Sequence, residues 1–166
     1  GLSARSFEHL RRMLTGELRA FELEARELVH PGVAEGELVG GCQSVVVAML
    51  ATRFAPDFRG RILFLEDTGE RAYRIDRMLV QLRQAGVFDA AAGIVFGAIR
   101  PVEGNADEAR MIARFIAEQT AGFGIPVIAG IEAGHGTENL ALPFGVRARL
   151  DAGARTLRIL EPAVAV

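Results

Sequence analysis

The sequence predicts an α/β domain: a small parallel sheet with helical crossovers and an added antiparallel ribbon. Three observations lead there. Three short apolar runs, 61–66, 91–99 and 125–130, have the length and composition of buried strands. Two longer stretches, 73–85 and 106–121, separate them and repeat their apolar residues at helical spacing. Strands that alternate with helices build parallel sheets whose crossovers cover the faces. Both ends of the chain instead alternate apolar and polar residues at period two, the pattern of antiparallel ribbon.

The elements follow in order. Residues 3–16 predict a short helix with Phe7, Leu10 and Leu14 on one face and Gly16 at its end. Over 17–30, Leu18, Phe21, Leu23 and Ala25 alternate with Glu17, Glu22, Glu24 and Arg26, which predicts a strand pair or an extended edge strand. His30-Pro31-Gly32 is a turn signal. Leu38-Val39-Gly40-Gly41 reads as a glycine-rich bend, and 43–53 as a mostly apolar helix after it. The strand 61–66 ends on Glu66, and Asp67-Thr68-Gly69-Glu70 predicts a turn. In the helix 73–85, Ile75, Met78, Leu79 and Leu82 fall at i, i+3, i+4 and i+7, and Gly86 stops it. Pro101 to Asn105 reads as a loop. The helix 106–121 turns Met111, Ile112, Phe115 and Ile116 inward. A polar loop from Gly134 to Asn139 follows the third buried strand. A hairpin closes the pattern, with 146–150 and 155–161 flanking Asp151-Ala152-Gly153.

Composition narrows the function. A chain of 166 residues is long enough to bury a core of its own. A net charge of −2 gives no electrostatic footprint for nucleic acid. The single cysteine, Cys42, cannot form an internal disulfide, which fits a reducing compartment. No apolar run reaches the roughly 18 residues of a membrane span, and no leader pattern opens the sequence. No membrane partner and a cytoplasmic location are expected. His9, His30 and His135 are scattered without ligand spacing, so no metal is expected. Gly40-Gly41 is too short for a dinucleotide fingerprint, and no cofactor is expected.

Two residues stand where chemistry gathers. Glu66 ends a buried strand, and open parallel sheets collect ligands at the carboxyl ends of their strands. A carboxylate there can orient a base or act as one. It can equally be a surface acid, with Asp67 and Glu70 competing to cap the helix that begins near Arg71. His135 sits between two glycines just past another buried strand, in a loop free to bend sharply. It is either a base that titrates near neutral pH or a loop histidine held by backbone bonds. Parallel strands deliver both loops to one edge, so a Glu66–His135 contact is expected, the orienting half of a hydrolytic triad. A nucleophile is missing. Ser3 and Ser6 lie in the first helix, and Ser44 lacks the Gly-x-Ser-x-Gly elbow that would expose it. Cys42 opens a helix, where a thiol is activated, but it also reads as a small buried apolar residue.

Longer motifs carry a resemblance. Gly60-Arg61-Ile62-Leu63-Phe64-Leu65-Glu66-Asp67-Thr68-Gly69-Glu70, followed by Tyr73 to Leu79, resembles the catalytic-glutamate segment of the LD-carboxypeptidase (muramoyltetrapeptide carboxypeptidase) family of serine peptidases. Gly134-His135-Gly136, with Asn139, Leu142 and Pro143, resembles its catalytic-histidine loop. Gly40-Gly41 before a helix and Ala55 to Gly60 also match, so the likeness covers about residues 35–161. Cys42 departs from it, standing where the family commonly has Asn.

The resemblance implies the C-terminal domain alone, of the swivelling β/β/α type. Residues 1–16 would then be the linker and last helix of a missing N-terminal domain, and 17–166 the domain itself. That missing domain would be a partner, carrying the nucleophilic Ser. Glu66 and His135 would complete a Ser-His-Glu triad. The implied substrate is the murein tetrapeptide, whose terminal D-alanine is removed in cell-wall recycling. The implied assembly is a homodimer. A microcin C-type self-immunity peptidase and a stand-alone non-catalytic binding domain are the alternatives.

Overall fold

The structure is a computed structural model that describes residues 2–102 and 106–164. In chain order it contains α1 (Ala4–Leu14), β1 (Phe21–Glu24), β2 (Glu27–His30), β3 (Val33–Cys42), α2 (Gln43–Met49), β4 (Ile62–Glu70), α3 (Ala72–Gln84) and α4 (Val87–Ala90). Then follow β5 (Gly93–Pro101), α5 (Ala106–Gln119), β6 (Val127–Gly134), β7 (Arg147–Asp151) and β8 (Thr156–Ile159). The strand order is β1-β8-β7-β3-β4-β5-β6-β2. The central pairs β3–β4, β4–β5 and β5–β6 are parallel. The flanking pairs are antiparallel.

The parallel strands are covered on both faces, which is why they read as unbroken apolar runs. Successive side chains of a strand point to opposite sides. Leu63, Leu65, Ile94, Phe96 and Val127 pack against Val46 of α2, Ile75, Leu79 and Leu82 of α3, and Ile112 and Ile116 of α5. Their neighbours Ile62, Phe64, Val95 and Ile128 pack against Leu23 of β1, Leu150 of β7, and Leu157 and Ile159 of β8. Ribbon, sheet and helices make three layers, the β/β/α arrangement the resemblance implies.

β3 joins the ribbon to the sheet. Its first half pairs antiparallel with β7 over Val33–Glu37, and its second half pairs parallel with β4 over Leu38–Cys42. The glycine-rich bend expected at 38–41 is therefore strand. Gly40 lets the strands approach closely: a Cβ there would lie 1.9 Å from the carbonyl oxygen of Phe64. The ribbon also differs from the expected pairing. β1 and β2 do not pair with each other but form opposite edges of the sheet, as the edge-strand alternative allows.

Other boundaries move. The expected turn at 67–70 continues β4, pairing Thr68 with Arg100 and Glu70 with Pro101. α2 stops at Met49 instead of 53, where Ala51 takes a positive φ of 61°. Met111 is exposed rather than inward, while Ile112 and Ile116 are buried. Part of the expected loop 101–105 lies outside the described residues, and Pro101 itself ends β5. No helix among the described residues is long and apolar enough to cross a membrane.

Candidate active site

The carboxyl ends of β4 and β6 bring Glu66 and His135 together. Glu66 is almost fully buried, and its Oε2 lies 2.7 Å from His135 Nδ1. The same oxygen accepts the backbone N–H of His135 at 3.1 Å. One carboxylate oxygen thus fixes both the ring and the peptide of the histidine. Among the described residues no protein group bonds Nε2, and the His135 side chain is 55% exposed. In the neutral ring, an Nδ1–H donated to the carboxylate would leave Nε2 unprotonated and able to accept a proton.

Local irregularity in the sheet lies beside this contact. The β4–β5 register shifts beside Glu66, where β5 advances three residues, Phe96 to Ile99, against two of β4, Leu65 to Asp67. The β5–β6 register shifts again, from Phe96 opposite Ala129 to Ala98 opposite Gly134. Bulges re-aim side chains and cluster beside active sites. Gly134 allows the final approach. Its φ is +94°, and a Cβ there would lie 2.7 Å from Glu66 Cβ, Cγ and Oε2. Asn139 braces the loop from within, its Oδ1 accepting the Gly134 N–H at 3.0 Å.

On the His135 side of the pair lies an open cavity of about 310 Å³ whose walls include Leu2, Ser3, Ser6, Thr68, Arg100 and His135. A larger cleft of about 520 Å³ lies beyond the histidine loop, with Ile112 and Ile116 of α5 on one side and Arg26, Arg100 and Glu132 at its rim. Both lie toward the carboxyl edge, where parallel sheets place their ligands.

Residues 35–150 match the family described as the LD-carboxypeptidase C-terminal domain. The chain belongs to this family. It is 38% identical to a putative carboxypeptidase of Streptomyces coelicolor, over 98% of this chain and 52% of that protein. It is 38% identical to a probable murein peptide carboxypeptidase of Bacillus subtilis, over 78% of this chain and 41% of that protein. Among solved structures, muramoyltetrapeptide carboxypeptidase from Oxalobacter formigenes superposes with a TM-score of 0.78 at 28% identity, over 95% of this chain and 55% of that one. The chain thus spans about half the length, or less, of these relatives.

In this LD-carboxypeptidase domain the other candidates separate. Asp67 and Glu70 do not cap α3, whose N-cap residue is Arg71, with no side-chain capping bond to the helix N-terminus. Glu70 pairs with Arg74 at 3.1 Å. Asp67 is buried, and its Oδ2 accepts the Ser44 N–H of α2 at 2.9 Å. Ser44 is the second residue of α2, on no elbow. Cys42 stands closer to the site than its place before a separate helix suggests, because it is the register partner of Glu66 across β3 and β4. Its thiol is half-buried and lies 3.1 Å from Ser44 Oγ, with no bond to His135 among the described residues.

The contribution of α1 was not legible in the sequence. Ser3 and Ser6 donate to Glu138 in the histidine loop, at 2.5 and 3.0 Å. These hydroxyls, Ser3 first, hold the Glu138 carboxyl below its usual range. The two serines read as filler in a terminal helix, because no local pattern announces a partner 132 residues away.

Proposed function

We propose that this chain is the half of a serine-type LD-carboxypeptidase that supplies Glu66 and His135 to a Ser-His-Glu triad. The observation that carries this reading is the 2.7 Å contact between Glu66 Oε2 and His135 Nδ1, with the rest of the ring open to the cavity. The nucleophilic Ser is assigned to the N-terminal part of the longer protein, the partner this half needs. His135 Nε2 removes the proton of that Ser as its oxygen attacks the substrate carbonyl. The same nitrogen returns the proton to the leaving amine as the peptide bond breaks. Water then releases the acyl group by the same exchange. Glu66 keeps the imidazole in the productive tautomer and stabilises its cation.

The proposed substrate is a murein tetrapeptide, and the bond cut joins an L-configured centre to the terminal D-alanine. The likeness to a murein peptide carboxypeptidase of Bacillus subtilis supports this choice. The proposed setting is cell-wall recycling in the cytoplasm, and the proposed assembly a homodimer. In the longer protein, Glu66→Gln is expected to lower kcat by about 10⁴-fold, as expected for loss of the orienting carboxylate. Asp76 accepts the Gln119 side-chain amide at 3.0 Å on the helical side, so Asp76→Asn is expected to act mainly on stability. D-Alanine release from an LD-tetrapeptide measures both. Equal kcat losses would undo the assignment. Faster cleavage of a peptide-nucleotide than of the tetrapeptide would move the substrate to the antibiotic class.

A further inference from the structure

The histidine loop is braced from within by Asn139 Oδ1 on the Gly134 N–H and from β5 by Arg100 on the Thr137 hydroxyl. Gly134 and Gly136 flank His135, and glycine leaves the backbone more freedom than any other residue. Glu66 fixes the imidazole only if the loop stays where Oε2 can reach both the ring and the peptide N–H. Those two bonds hold Gly134 and Thr137, and α1 adds a third restraint, on residues 138–141.

α1 runs along the segment that leaves His135. Ser6 is 1% exposed, although Phe7 and Leu14 of the same helix are 60% and 58% exposed. A buried hydroxyl is costly unless it is bonded, and Ser6 is bonded twice over. It donates to Glu138 Oε2 at 3.0 Å and accepts the Asn139 N–H at 3.0 Å. Ser3 donates to the same carboxylate oxygen at 2.5 Å, and its Oγ accepts the Ser6 N–H at 3.0 Å. One turn further on, His9 Nε2 meets the Ala141 carbonyl at 3.0 Å. The helix therefore docks by polar contacts to residues 138–141, while much of its apolar face points outward. Leu2, Ser3 and Ser6 also wall the cavity that His135 lines.

We propose that α1 is a splint for the histidine loop, with Ser6 and Ser3 as positioning residues that act through Glu138 and Asn139 to keep His135 on Glu66. This rests on the reading of Glu66 and His135 as the catalytic pair. Neither serine is assigned contact with substrate. Their effect is on which imidazole nitrogen holds the proton, because that is set by the hydrogen bond the other makes.

The test is imidazole ¹⁵N NMR on the chain labelled at histidine, with thermal unfolding to show that each variant folds. In the wild type His135 is expected to show a protonated Nδ1 and a bare Nε2. Ser6→Ala and Glu138→Ala are expected to lose that signature, while His30, bonded elsewhere to the Ala117 carbonyl, keeps its own. Glu138→Gln retains a carbonyl oxygen for both serines and is expected to restore the wild-type pattern. Glu138 is half-buried at the surface, so its variants report even if Ser6→Ala fails to fold. If the folded Ser6 and Glu138 variants keep the His135 signature and Glu66→Ala abolishes it, the splint is wrong and the pair stands. If Glu66→Ala leaves the signature unchanged, the pair fails and the splint with it.

Discussion

Glu66 and Asp67 are consecutive residues at the end of one strand, and they do different work. Period two sends them to opposite faces. Glu66 continues the face of Ile62 and Phe64, and Asp67 the face of Leu63 and Leu65, under the helices. There Asp67 meets the N-terminus of α2, where a carboxylate satisfies a backbone N–H that helix geometry leaves without a partner. The sequence offers Asp67 only as one of two candidate caps for α3, because it shows the next element in the chain and not the one packed above it. Gly134 is the third residue that decides the site. Gly134→Ala puts a methyl within 2.7 Å of the Glu66 side chain at a φ of +94°. It is expected to destabilise the fold by about 1 kcal/mol or more. In the longer enzyme it is also expected to lower kcat with little change in KM. Urea unfolding and steady-state kinetics check the two effects, and a wild-type kcat would show that Glu66 does not need this close approach.

At the scale of elements, two amphipathic helices of similar legibility end in different places. α3 buries Ile75, Met78, Leu79 and Leu82 as its spacing predicts. α1 has its own apolar stripe, yet Phe7 and Leu14 lie in the open. Spacing reports that a helix has an apolar face, not what covers that face. Leu79→Ala in α3 is expected to cost about 2–5 kcal/mol, the range for emptying a full side chain from a packed interior. Leu14→Ala in α1 is expected to stay within about 0.5 kcal/mol, as for an exposed position. Chemical denaturation of the two variants measures the contrast. A large loss from Leu14→Ala would mean that α1 is covered in solution by a surface the chain does not itself provide.

At the scale of the whole molecule, the carboxyl edge carries an acid and a base without an assigned nucleophile. Incubated with an LD-tetrapeptide, the purified 166-residue chain is expected to release no D-alanine, with or without iodoacetamide. Turnover that alkylation abolishes would make Cys42, the register partner of Glu66, the nucleophile and end the serine reading of this half. What the sequence determined by itself was the alternation of strand and helix, the buried faces of β4, β5 and β6, and Glu66 and His135 as the residues to watch. Those follow from periodicity and from short motifs, and both are local along the chain. Only the tertiary structure decided that β3 is a strand, that β1 and β2 lie at opposite edges, that the ends of β4 and β6 bring Glu66 against His135, and that Ser6 reaches Glu138. Each of those depends on backbones and side chains meeting across the sheet after distant segments have packed, and a glycine or a serine carries no mark in the chain of what it will meet.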